Sequence, residues 1–176
     1  MPSPNRTTNE EVVAAAREIL EDAGPGGLTM QAVAGRVGVR APSLYKRFAD
    51  REALLAAVVA ATVEELGRRL DGAEDLTAIA RTYRAFAHER PEAFRLVFTP
   101  YAEQEALRRS AEPVLRAAAD LVGEEDALVA ARLFTAWATG FLHMELAGAF
   151  RLGGDVDEAF AYGLDRLRAG LLAGRR

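Results

Sequence analysis

The sequence predicts an all-α protein of about nine helices: an N-terminal three-helix unit of helix-turn-helix pattern, joined by a long helix to a C-terminal helical bundle. Three observations lead there. No stretch alternates apolar and polar residues with the period of two that a half-buried strand needs. Alanine and leucine instead recur at helical spacing along almost the whole chain. Breaks rich in Gly and Pro punctuate that pattern at Gly24-Pro25-Gly26-Gly27, Asp71-Gly72, Pro91, Thr99-Pro100, Pro113, Gly123 and Gly153-Gly154.

The first helix starts at Thr8, which with Glu11 fits a capping box and sets Glu10 and Glu11 against the positive end of the helix dipole. Val12, Val13, Ala16, Ile19, Leu20 and Ala23 form one apolar stripe. A second helix follows Thr29 as N-cap, with Leu28 and Val33 spaced as a hydrophobic staple. Its inner face is Val33, Ala34 and Val37, and Gly38 ends it in the left-handed conformation. The third is expected over Ala41–Phe48, with Pro42 tolerated in the first turn. At 100° per residue Leu44 and Phe48 share one face of it, and Pro42, Ser43, Lys46 and Arg47 lie around the other.

Asp50 caps a fourth helix, whose apolar residues Leu54, Leu55, Val58, Val59, Leu66 and Leu70 continue to Asp71-Gly72. Five more helices are expected near 76–89, 92–98, 104–122, 126–150 and 156–173. The last opens on Asp155 and Glu158 and carries Phe160, Leu164, Leu167 and Leu171 on one stripe. The expected division is residues 1–50 as a helix-turn-helix domain, with the connecting helix running to about 70, and residues 51–176 as a helical domain.

Composition excludes several classes. Half of the 176 residues are hydrophobic and 27% are charged, so the chain can bury a core and is not a disordered tail. It has no cysteine, which removes disulfides, thiolate metal sites and a cysteine nucleophile. Its histidines, His88 and His143, lie in no HExxH or carboxylate cluster, so neither metal nor cofactor is expected. No GxSxG, P-loop or dinucleotide fingerprint is present, and no enzymatic activity is expected. The N-terminus lacks the apolar run of a secretory signal, and the protein is expected to stay in the cytoplasm. The apolar stretch Leu133–Phe150 holds His143 and Glu145, so it reads as a helix buried on most sides by protein, with no membrane partner.

Charge is unevenly placed. Between Leu28 and Arg51 stand Arg36, Arg40, Lys46, Arg47 and Arg51 against Asp50 alone, a local +4 in a chain of net −4. The rest of the chain therefore carries −8. Two short helices joined by a Gly-containing turn, with a basic outer face on the second, suit a reading head for double-stranded DNA, since phosphate attraction depends on nearby charge.

Leu28-Thr29-Met30, Val33-Ala34, Val37-Gly38-Val39, Leu44-Tyr45, Phe48, Arg51 and Leu54-Leu55 resemble the DNA-binding domain of TetR-family transcriptional regulators, over about residues 9 to 58. The resemblance implies that Thr29, Tyr45 and Arg51 contact phosphates, with Gln31 beside them at the head of the second helix. It implies that Ala41, Pro42, Ser43 and Lys46 approach base edges in the major groove, with Arg40 and Arg47 at either end of the surface. Lys46 is the candidate reader of guanine, and Arg6 a candidate N-terminal arm.

Trp137, Gly140 and Met144-Glu145-Leu146-Ala147-Gly148 are similar to a regulatory domain of this family named for a Trp-His-Gly motif, with Thr139 standing where that His is expected. The likeness makes residues 51–176 a ligand-binding and dimerisation domain, with Tyr83, Phe94, Phe98, Trp137, Phe141, Met144 and Glu145 as candidates to line a pocket for a small-molecule effector. It also implies a homodimer paired through the last two helices, where Ala138, Gly140, Ala159, Gly163 and Gly170 allow close approach. The function implied is a ligand-responsive regulator, most simply a repressor released from a palindromic operator. A helical protein-interaction module and a helical-bundle enzyme are the alternatives.

Overall fold

The computed structural model describes residues 7–174, and among them it contains nine helices and no strand. These are α1 (Asn9–Gly27), α2 (Met30–Arg36), α3 (Ala41–Tyr45), α4 (Arg51–Asp71), α5 (Leu76–Glu89), α6 (Pro91–Leu96), α7 (Gln104–Val122), α8 (Glu124–Leu146) and α9 (Val156–Ala173). Packing divides the chain into two compact units. One takes in the chain up to Glu64 together with Arg90–Ala106; the other takes in Glu65–Glu89 and Leu107 onward. The helix α4 contributes residues to both.

In the first unit the capping box at the head of α1 is complete: the Glu11 amide donates to Thr8 Oγ1 at 3.2 Å and the Thr8 amide to Glu11 Oε2 at 2.8 Å. Gly24, at φ 67, bends the chain before Pro25 without the strain a side chain would bring. Val12, Ala16, Leu20, Leu28, Val33, Leu44, Leu54 and Val58 then form one core from α1 to α4.

The division of packing does not fall at the boundary expected near residue 50. Glu21 on α1 accepts hydrogen bonds from the Glu92 and Ala93 amides, each at 3.0 Å, and so caps α6 from another helix. Ala93 is buried in the core of α1–α4, and Leu96 and Tyr101 pack against it. Two free amides and one apolar face therefore draw a segment of the expected second domain into the first unit.

The second unit buries Leu76, Ile79, Ala80, Tyr83, Phe86 and Ala87 of α5, Phe134, Ala138 and Leu142 of α8, and Phe160 and Leu164 of α9. Phe86 and Phe134 are almost wholly buried, a contribution of about 2–3 kcal/mol each. The helix α8 ends at Leu146, four residues before the expected end. Gly148 at φ 60 closes it, with its amide donating to the Glu145 carbonyl and the Ala149 amide to that of Met144.

The expectation that α8 is buried on most sides does not hold within one chain. Its most apolar window has mean hydropathy 1.2 and is only 28% buried. Leu128, Val129, Leu133 and Met144 face outward, and on α9 Tyr162 and Leu172 do the same. Among the small residues expected at a pairing surface, Ala138 is buried and Gly163 abuts Trp137 within the chain. Gly140, Ala159 and Gly170 remain exposed.

Candidate functional site

The reading head is built by α2, the turn after it and α3. Thr29 caps α2, accepting from the Ala32 amide at 3.1 Å, and its hydroxyl proton has no acceptor among the described residues. Gly38 at φ 71 makes the turn, closed by the Val39 amide donating to the Ala34 carbonyl at 2.9 Å. Val37 and Val39 pack on the core from either side of it. The third helix is shorter than expected: α3 ends at Tyr45, and Lys46 to Phe48 form a turn in which the Arg47 and Phe48 amides both donate to the Leu44 carbonyl.

The decisive geometry is the sidedness of this segment. Leu44 and Phe48 are 1% and 8% exposed, inside the core. Tyr45 is 53% exposed, and Lys46, Pro42, Arg40 and Gln31 are exposed with it. Ser43 is half-buried, and Ala41 packs partly on the core, so its methyl anchors the helix more than it displays it. The short rod is held by its apolar side and offers a phenol, a lysine and a pyrrolidine ring outward.

Three of the counted arginines have other partners. Arg36 pairs with Glu18 at 3.0 Å and Asp22 at 3.7 Å on α1, which offsets its charge. Arg51 donates through Nε to the Leu28 carbonyl at 2.7 Å and through a terminal nitrogen to that of Pro25, joining the head of α4 to the α1–α2 connection. Arg47 donates to the Thr7 carbonyl. The expected phosphate contact of Arg51 and the end-of-surface position of Arg47 are thus sites of intrachain bonds, and the cations left exposed beside α3 are Arg40 and Lys46. Arg6 lies outside the described residues.

The seven candidates for an effector pocket are divided between the two units. Phe94 and Phe98 belong to the first unit, where Phe94 is buried and Phe98 exposed. In the second unit Tyr83 is buried with its hydroxyl 3.1 Å from Thr139 Oγ1, so the residue standing where His was expected is a partner of Tyr83. Trp137 stacks on Phe160 at 5.3 Å between ring centroids, and Phe141 meets Phe160 edge-on at 5.2 Å. These rings are packing for one another, and Met144 points outward.

Of the seven, Glu145 lines a groove of about 640 Å³ in the second unit, bounded by α5, the end of α8 and α9. Glu145 receives both Nε and a terminal nitrogen of Arg84, which also donates to Asp157, and His88 Nε2 lies 3.2 Å from the same carboxylate. The hydrogen bond to Glu145, with a smaller contribution from Asp157, holds the Arg84 guanidinium above its ordinary range. Its carbon sits 4.8 Å from the centre of the Phe160 ring. The partners 61 and 73 residues away were invisible in sequence. The one available signal was the spacing of Arg81, Arg84 and His88, which puts all three on one side of α5.

A helix-turn-helix anchored by Leu44 and Phe48, with its polar side outward, defines a DNA-binding transcriptional regulator. The model for "Bacterial regulatory proteins, tetR family" matches residues 12–58, and that for "Tetracyclin repressor-like, C-terminal domain" matches residues 76–167, more than half of the chain. The chain belongs to the TetR family of bacterial transcriptional regulators.

An uncharacterized HTH-type transcriptional regulator of Mycobacterium tuberculosis is 29% identical over 96% of this chain and 83% of its own. A protein of unknown function from Rhodococcus sp. RHA1 superposes with a TM-score of 0.81 at 26% identity, covering 98% of this chain and 99% of that one. A TetR variant from Acinetobacter baumannii AYE, solved in complex with minocycline, gives 0.75 at 27% identity over 97% and 99% of the two chains.

Proposed function

We propose that this regulator is a homodimeric repressor that a small molecule releases from a palindromic operator, acting in the cytoplasm by binding and not by turnover. The observation that carries the reading is the sidedness of α3, with Leu44 and Phe48 in the core and Tyr45 and Lys46 outward. Lys46 reads a guanine edge, Pro42 and Ser43 meet neighbouring bases, and Tyr45 and the Thr29 hydroxyl hold phosphates, with Gln31 and Arg40 flanking.

Pairing is supported by the exposed apolar residues of α8 and α9, a surface better covered by a second copy than by a bilayer. Two heads then meet half-sites about 34–36 Å apart or a multiple of it. Because α4 belongs to both packing units, an effector that favours one arrangement of the second unit acts on the first through continuous helix. The complex of the similar Acinetobacter protein with minocycline supports a small molecule as the effector.

Selection from genomic fragments, followed by operator titration over a range of salt, tests this. The expected result is a palindrome bound by two chains with affinity falling steeply as salt rises. Binding to no fragment, or salt-independent binding to a protein partner, would favour an interaction module.

A further inference from the structure

We propose that the groove between α5 and α9 is a site for a zwitterionic small molecule, one carrying an ammonium and a carboxylate on an apolar body. At one end of the groove the charges already answer one another: Arg84 is closed by Glu145 and Asp157, and His88 lies against Glu145. The unanswered charges are Arg81 on the α5 wall and Asp165 on the α9 wall, both exposed and without an ion pair or hydrogen bond among the described residues. They are of opposite sign.

These groups discriminate by charge. A simple cation satisfies Asp165 and leaves Arg81 facing it, and a simple anion does the reverse. A zwitterion gives each a charge-assisted hydrogen bond. Ala85, Phe160 and Leu164 provide the apolar floor, and about 640 Å³ falls within the usual range for small-molecule sites.

The groove also stays open in a paired molecule. At 100° per residue Asp157, Phe160, Ala161, Leu164 and Asp165 share one face of α9. The exposed Ala159, Tyr162, Arg166 and Gly170 lie on the opposite face.

The assignment rests on the groove being the effector site of the function proposed above. Calorimetry on the full chain without DNA asks only what enters the groove, so its failure is distinguishable from a failure of operator release. The probes are L-tryptophan, tryptamine and 3-indolepropionate, which share an indole body and differ in head charge. L-Tryptophan should bind at least about tenfold more tightly than either of the others, and Arg81→Gln and Asp165→Asn should each weaken it by about tenfold or more with an unchanged melting temperature. Equal or tighter binding of tryptamine or 3-indolepropionate, no heat with millimolar L-tryptophan, or undiminished binding by both variants would overturn the assignment.

Discussion

Arg47 and Thr7 stand forty residues apart in the chain, yet the Arg47 guanidinium donates a hydrogen bond to the Thr7 carbonyl, tying the entry of α1 to the turn after the reading helix. Arg47 therefore also acts as a clasp within the head. Arg47→Ala should speed amide exchange at the start of α1 and cost about 1 kcal/mol of stability, whereas Lys46→Ala should change neither. Equal exchange in the two variants would remove the clasp.

Lys46 is exposed and engages no partner among the described residues. Lys46→Ala should weaken operator binding by about 1–3 kcal/mol, relax preference at one base-pair position and leave the melting temperature as it was. Fluorescence anisotropy against an operator set with single base changes reads this directly. A loss spread evenly over all sequences would move Lys46 to the phosphates.

Leu44 is the anchor of α3, 1% exposed and surrounded by α1, α2 and α4. Leu44→Ala should destabilise the protein by about 2–5 kcal/mol in urea unfolding, through lost burial and the cavity left behind. Tyr45→Ala next to it should fall within about 0.5 kcal/mol of the parent while abolishing operator binding.

Burial pushes the Tyr83 hydroxyl up to about 12, against a smaller opposing effect of its hydrogen bond with Thr139. The unfolded chain releases this proton near 10, so between about pH 10 and 12 the unfolded state binds fewer protons and stability falls as pH rises, by up to about 1.4 kcal/mol per pH unit. Below pH 10 this contribution is fully present. Tyr83→Phe should flatten that part of the profile in chemical unfolding, and an identical slope in the variant would place the titration elsewhere.

Gly163 leaves no room for a side chain: a Cβ there would lie 2.8 Å from Trp137 Cζ2, and the Trp137 ring is stacked on Phe160. Gly163→Ala should cost about 1–3 kcal/mol despite the better helix propensity of alanine. Thermal unfolding of this variant beside Trp137→Phe separates the clash from the ring's own packing.

Local chemistry determined much of this protein. The capping pair Thr8 and Glu11, the cap at Thr29, the turn at Gly38 and the pairing of Leu44 with Phe48 on one face all act within a few residues, so the chain states them directly. The helices α5, α7 and α9 follow for the same reason. Contacts at long separation were decided only by the tertiary structure. Glu21 finds the amides of α6, Arg51 and Arg47 donate to backbone carbonyls far along the chain, and Arg84 reaches Glu145 beside the groove. A helix pattern tells which face is apolar, but a long charged side chain reaches whichever acceptor the packing brings near, and that choice exists only once the helices have met.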